Sequence, residues 1–147
     1  MGRWFSEFEV GQTFESQGRT IGEADVTMFA ALTGDWNPLH TDAEFAAKTP
    51  FGRRIGHGML SASVANGLSQ TLGIFDGTTI ALMSQTWAYK GPVFFGDTIR
   101  ARLVVESVTP SSKPGRGVVG FRCDVVKQDG AVVVTGPWTV MMADKAS

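Results

Sequence analysis

The stretch that decides the fold is IGHGMLSASVANGLSQTL, residues 55–72. From Met59 to Leu72 its larger aliphatic side chains, Leu60, Val64, Leu68 and Leu72, recur every four residues with small residues between them, as on one face of an α-helix. From Ile55 to Tyr89 the only formally charged side chain is Asp76. So little charge predicts a largely buried stretch, yet its content of Gly, Ser, Thr, Asn and Gln is too high for a bilayer span. Burial within protein, partly across a subunit interface, is the expectation.

Downstream the period changes. Thr79 to Tyr89, Thr98 to Val108, Gly117 to Lys127 and Ala131 to Met142 alternate or run in β-branched residues, and Gln128-Asp129-Gly130 is a hairpin signal. Thr109 to Gly117, rich in Ser, Pro and Gly, reads as a loop between strands. Upstream, Thr13 to Ile21 predicts a strand, and Val26, Phe29, Ala30 and Thr33 predict a short helix stopped by Gly34. Four consecutive strands after one apolar helix imply an antiparallel sheet with one face covering that helix, an α+β fold. Residues 35–58 show no sustained period; one helical turn near Asp42 to Ala47, capped by Thr41 or Asp42, is expected there.

The chain has 147 residues, which fits one domain spanning 1–147. Lys plus Arg at 13 nearly balances Asp plus Glu at 14, so no bulk positive field exists to attract nucleic acid or an anionic membrane. Cys123 stands alone, which excludes an intrachain disulfide or a multi-cysteine metal site and favours a reducing compartment. The N-terminal residues lack the signal-peptide pattern, and a soluble cytoplasmic protein is the expectation. Neither G-x-G-x-x-G after a strand nor G-x-x-x-x-G-K-[ST] occurs, so nucleotide-phosphate cradles are not indicated.

Both histidines, His40 and His57, fall in the irregular segment, together with Asp35, Asn37, Pro38 and Asp42. Histidine moves protons near neutral pH, and a carboxylate reaching the same water complements it. A bend at Asn37-Pro38 lets Asp35 and His40 converge. Other readings stay open: Asp35 as a turn cap with Asn37 in a local Asx bond, a mixed metal set of Asp35, His40, Asp42 and His57 lacking familiar ligand spacings, and serine chemistry at Ser61 or Ser63 lacking a nucleophile elbow. Gly58, at a helix start, can present its N–H to developing negative charge, whereas the His57 side chain reads as packed or hydrogen-bonded at the helix entry.

Taken together, TGDWNPLHTD (33–42), Ala46-Ala47, IGHGML (55–60) and GPVFFGDT (91–98) closely resemble the MaoC-like or hydratase-2 family, over nearly the whole chain. The resemblance implies a hot-dog fold, an antiparallel sheet wrapped around a central helix at Met59 to Leu72, assembled as a homodimer or higher homo-oligomer. It implies (R)-specific enoyl-CoA hydratase activity with Asp35 and His40 as the catalytic pair, the Gly58 N–H as oxyanion hole, and Asn37 ordering the turn. The substrate is then an acyl-CoA thioester, with no cofactor and no metal required. One departure is that Asn66 aligns with a serine common in the bacterial enzymes; Ser63, nearly one turn earlier, is the candidate to replace it in supporting the site. Lys90, Arg53 and Arg54 would meet the phosphates of coenzyme A or stay solvated. Phe75, Trp36, Trp87, Phe94 and Phe95 would line an acyl pocket or the core. The alternatives are a hot-dog acyl-CoA thioesterase and a non-catalytic acyl-binding or assembly subunit.

Overall fold

The computed structural model describes residues 1–145. The helical spacing of the deciding stretch produces a helix at Gly58–Gln70 whose Leu60, Val64 and Leu68 are buried. Among the described residues it is the fourth of four α-helices: α1 (Glu23–Thr33), α2 (Pro38–Thr41), α3 (Ala43–Ala47) and α4 (Gly58–Gln70). The strands are β1 (Thr13–Glu15), β2 (Arg19–Thr20), β3 (Thr79–Gln85), β4 (Ala88–Tyr89), β5 (Thr98–Pro110), β6 (Arg116–Lys127) and β7 (Val132–Ala143). All pair antiparallel in one seven-stranded sheet of order β1-β5-β6-β7-β3, with β2 on β5 and β4 on β7.

The expected α+β hot-dog arrangement is present. Leu60, Val64, Ala65 and Leu68 of α4 pack on Ile99 and Ala101 of β5, Val125 of β6 and Val133 and Val134 of β7, with Ile21, Val26 and Val93 closing the cluster. A second cluster, centred on Phe5, Phe8, Phe75, Phe121 and Trp138, fills the other part of the sheet, and Trp87 packs against both.

Local chemistry explains where the elements depart from their expected bounds. The strand expected at Thr13 to Ile21 divides in two because Ser16 takes over the pairing: its N–H donates to Ala101 O at 2.9 Å and its Oγ accepts from Ala101 N–H at 3.0 Å. The run Thr79 to Tyr89 breaks between β3 and β4, where Thr86 N–H donates to Pro137 O at 2.9 Å and a Cβ on Gly136 would overlap the Thr86 carbonyl. Helix α4 ends at Gln70 rather than Leu72, and Gly73 leaves the last turn with φ 67°. α1 stops as expected, with Gly34 left-handed at φ 78°.

Burial of the charge-poor stretch is only half realised in one chain. One face of α4 is buried while Met59, Ser63, Gly67 and Gln70 on the other are exposed, and β3 lies at the sheet edge with Ile80, Leu82 and Met83 at 44%, 50% and 53% exposed. Uncharged sequence signals what a residue is meant to touch, and here one side of β3 has no neighbour within the chain.

The strap between β4 and β5 is anchored by Asp97. Its carboxylate pairs with Lys127 Nζ at 2.7 Å and accepts from Gln128 Nε2 at 2.7 Å and Phe94 N–H at 2.8 Å. Burial pushes this carboxyl up, but the bonds from Lys127, Gln128 and Phe94 outweigh it and hold it below the usual 3.8. A depressed native value means stability that is present above the unfolded-state value and lost as pH falls through the native one. Urea titrations should therefore show the gap between wild type and Asp97→Asn narrowing as pH drops below about 4.

Candidate active site

Residues 34–58 fold as a series of caps. Thr33 Oγ1 accepts from Asp35 N–H at 3.2 Å, Asp35 Oδ1 from Asn37 N–H at 3.3 Å, and Asn37 Oδ1 from Leu39 N–H at 3.0 Å. Asn37 thus caps α2 with Pro38 in its first turn, where a missing N–H loses nothing. Asp42, one of the two expected caps, accepts from Phe45 N–H at 3.0 Å and starts α3. The short α2 was not expected; its signal was Asn-Pro, an N-cap followed by a residue preset for a helix.

Asp35, His40 and Gly58 line one cavity of about 510 Å³, together with His57, Tyr89 and Lys90. His40 Nδ1 lies 2.7 Å from the Ile55 carbonyl. A carbonyl only accepts, so Nδ1 carries the proton and the neutral ring presents Nε2 as an acceptor. One ligand atom from each of Asp35, His40 and His57 can be chosen so that all lie within 4.8 Å of one another. Two groups each about 2.8 Å from one water sit roughly 4.6 Å apart at a tetrahedral angle. The spacing suits a single shared water. It suits a metal poorly: the two imidazoles stack with centroids 3.9 Å apart and planes 32° apart, so their in-plane lone pairs run alongside rather than converge.

Gly58 opens α4, where first-turn N–H groups have no partner within the helix. Glycine is required there by close approach, because a Cβ would sit 2.7 Å from two carbons of the Tyr89 ring. Tyr89 also donates from its hydroxyl to Met59 Sδ at 3.0 Å, so it lies along the start of the helix.

The remaining expected site residues are not brought into this cavity by the chain itself. Ser63 Oγ donates to Met59 O at 2.7 Å, and Asn66 Oδ1 accepts from Gln85 Nε2 at 3.1 Å, tying α4 to β3. Of the aromatics, Phe75 is core, Trp87 and Phe95 pack on the core, Phe94 carries the Arg53 guanidinium at 4.0 Å, and Trp36 is exposed. Phe51 and Tyr89 line the cavity instead, and Ser61 joins them. Lys90 reaches the cavity, whereas Arg54 is engaged by Glu23 at 2.8 Å. Cys123 is buried on β6 in the cluster of Phe121 and Trp138, and burial with Asp124 beside it pushes its thiol up to about 12, far from a nucleophile.

The Asp35 carboxylate and the His40 imidazole, at a spacing that suits one water, stand beside the uncapped start of α4 on a hot-dog sheet. The chain belongs to the MaoC-like domain family, which it matches over residues 6–126. It is 40% identical to an (R)-specific enoyl-CoA hydratase of Aeromonas caviae, over 91% of this chain and 95% of that protein. It is 37% identical to an (R)-specific enoyl-CoA hydratase of Rhodospirillum rubrum, over 95% of this chain and 91% of that protein. Among solved structures, an R-hydratase from Pseudomonas aeruginosa in unliganded form superposes with a TM-score of 0.79 at 35% identity, covering 98% of this chain and 88% of that one.

The contact between Gly58 and Tyr89 is testable without any substrate. Gly58→Ala should lower the thermal midpoint in the wild-type background and leave it nearly unchanged in Tyr89→Ala. A double-mutant cycle should give a coupling of about 1 kcal/mol.

Proposed function

We propose that this protein is an (R)-specific enoyl-CoA hydratase, adding water reversibly to a trans-2-enoyl-CoA to give the (R)-3-hydroxyacyl-CoA. The observation that supports the reading is that Asp35, His40 and Gly58 line one cavity, with a carboxylate oxygen and an imidazole nitrogen within 4.8 Å and His40 Nδ1 engaged by the Ile55 carbonyl. Asp35 and His40 Nε2 each accept one hydrogen of a single water. As its oxygen bonds to C3, the O–H proton passes to His40 Nε2, and negative charge builds on the thioester oxygen facing Gly58 N–H. The imidazolium beside Asp35 then gives that proton to C2 on the same face, so the atoms of one water are added. A single donor such as the Gly58 N–H is worth on the order of 3 kcal/mol in sites of this kind. No redox step occurs. Lys90 at the cavity wall suits the anionic carrier. The compartment we assign is the cytoplasm, in keeping with a lone buried thiol.

The test follows crotonyl-CoA by enoyl absorbance and free thiol together. Loss of the enoyl signal without thiol is expected; thiol release would make the protein a thioesterase, and neither signal with short, medium or branched enoyl thioesters would remove the hydratase reading. Asp35→Asn and His40→Gln should each lower kcat by about 10²- to 10⁴-fold while the protein stays folded by circular dichroism.

The reading includes a second copy of the chain along β3, supported by the uncharged, half-exposed Ile80, Leu82 and Met83 on an edge strand. Sedimentation should give a particle of at least twice 15.8 kDa. Leu82→Glu should shift it toward one chain, and a wild-type monomer at micromolar concentration would overturn the assignment.

A further inference from the structure

We infer that His57 is a positioning residue, whose Nε2–H holds the Asp35 main chain and whose ring supports the face of His40, setting the dyad at the span of one water. The side chain is 2% exposed and lies between two rings, His40 at 3.9 Å and Phe29 at 4.9 Å. Its Nε2 is 3.0 Å from the Asp35 carbonyl oxygen, which can only accept, so Nε2 carries the proton. That bond joins the N-cap residue of α4 to the turn that bears Asp35, across 22 positions of sequence.

The turn needs such a tie. Its other side-chain bonds are local: Asp35 N–H to Thr33 and Asn37 N–H to Asp35 span two residues, Thr41 Oγ1 to Trp36 O and Asn37 O span five and four, and the Asp35 side chain is 52% exposed. Local bonds shape the turn and join it to α2, where His40 N–H donates to Asn37 O at 2.9 Å, but they do not anchor it to the core. His57 does so because α4 is locked in the sheet by Leu60, Val64 and Leu68. Its ring then lies against His40, which is held from the far side through Nδ1 to Ile55 O at 2.7 Å.

The imidazole is a poor choice for packing alone. With Nε2 protonated, the buried Nδ1 has a lone pair and no partner within the protein, an unfavourable burial that leucine or phenylalanine filling the same space would not incur. Retaining it is accounted for by the one bond that an apolar side chain cannot make.

The activity readout rests on the hydratase reading; the structural one does not. Glutamine carries an N–H donor at the same bond count from Cβ as His57 Nε2, while asparagine falls one atom short. His57→Leu and His57→Asn should lower kcat about 100-fold with KM within about threefold, and His57→Gln should recover to within about tenfold of wild type. A folded His57→Leu protein turning over within threefold of wild type, or His57→Gln no better than His57→Leu, would overturn the inference. Independently of turnover, ¹⁵N spectra of the wild-type imidazoles should show His57 protonated at Nε2 and His40 at Nδ1, with the Asp35 to Asn37 amides shifted in His57→Leu and close to wild type in His57→Gln. The opposite His57 tautomer, or unshifted amides in His57→Leu, would sink it whatever the protein does to an enoyl thioester. Correct spectra from a protein that hydrates nothing would instead sink the proposed function and leave the placement of Asp35 by His57 standing.

Discussion

The hydrogen bond from His40 Nδ1 to the Ile55 carbonyl is the contact on which the site depends, because it ties the short, locally capped α2 to the stretch that enters α4. Four successive residues distribute that anchorage. Ile55 bridges to Phe94, Gly56 N–H donates to Val93 O at 2.8 Å, His57 holds the Asp35 carbonyl, and Gly58 begins α4. The helix cannot shift without opening the apolar cluster beneath it, so its N-terminus is a fixed point. Rigidity reaches the exposed Asp35 from the core through main-chain and imidazole bonds rather than through packing of Asp35 itself.

The same dependence decides what the sequence disclosed. Helix α4 was legible because Leu60, Val64 and Leu68 keep their spacing and all end up buried. The four long strand runs were legible for the same reason, with bounds displaced by a residue or two and one break. That break, at Thr86, arises from the backbone of Gly136 on a distant strand, and no local pattern reports such an approach. The dyad segment was recognisable by its chemistry, Asp, Asn and His gathered where periodicity fails. Its geometry was not, since α2 has four residues and depends on one cap.

The other wall of the cavity was less visible. Tyr89 and Lys90 are far from Gly58 in sequence, and the only trace of their approach is that residue 58 lacks a side chain. Of the aromatics open to either pocket or core, Phe75, Trp87 and Phe95 go where most area can be buried. That place is the sheet's two clusters, not a cavity that must stay open. Ser63 and Asn66 follow a related logic: they belong to the helix that reaches the site, but their bonds run to α4's own backbone and to Gln85 of β3.

The sheet's two edges differ in a way that bears on assembly. At one, β1 has three residues and carries Glu15, paired to Arg100 at 3.3 Å, with β2 and Arg19 beside it; short length and charge blunt such an edge against further pairing. At the other, β3 has seven residues, no charge, and apolar side chains half exposed. A chain selected to remain alone would be expected to protect both edges alike. Asn66 is bonded to Gln85 at the end of β3, so the position where the resemblance places a supporting serine is physically joined to the unprotected edge. A partner seated along β3 would therefore lie next to the Gln85–Asn66 bond and brace the helix whose fixed N-terminus faces the cavity, without needing to move it.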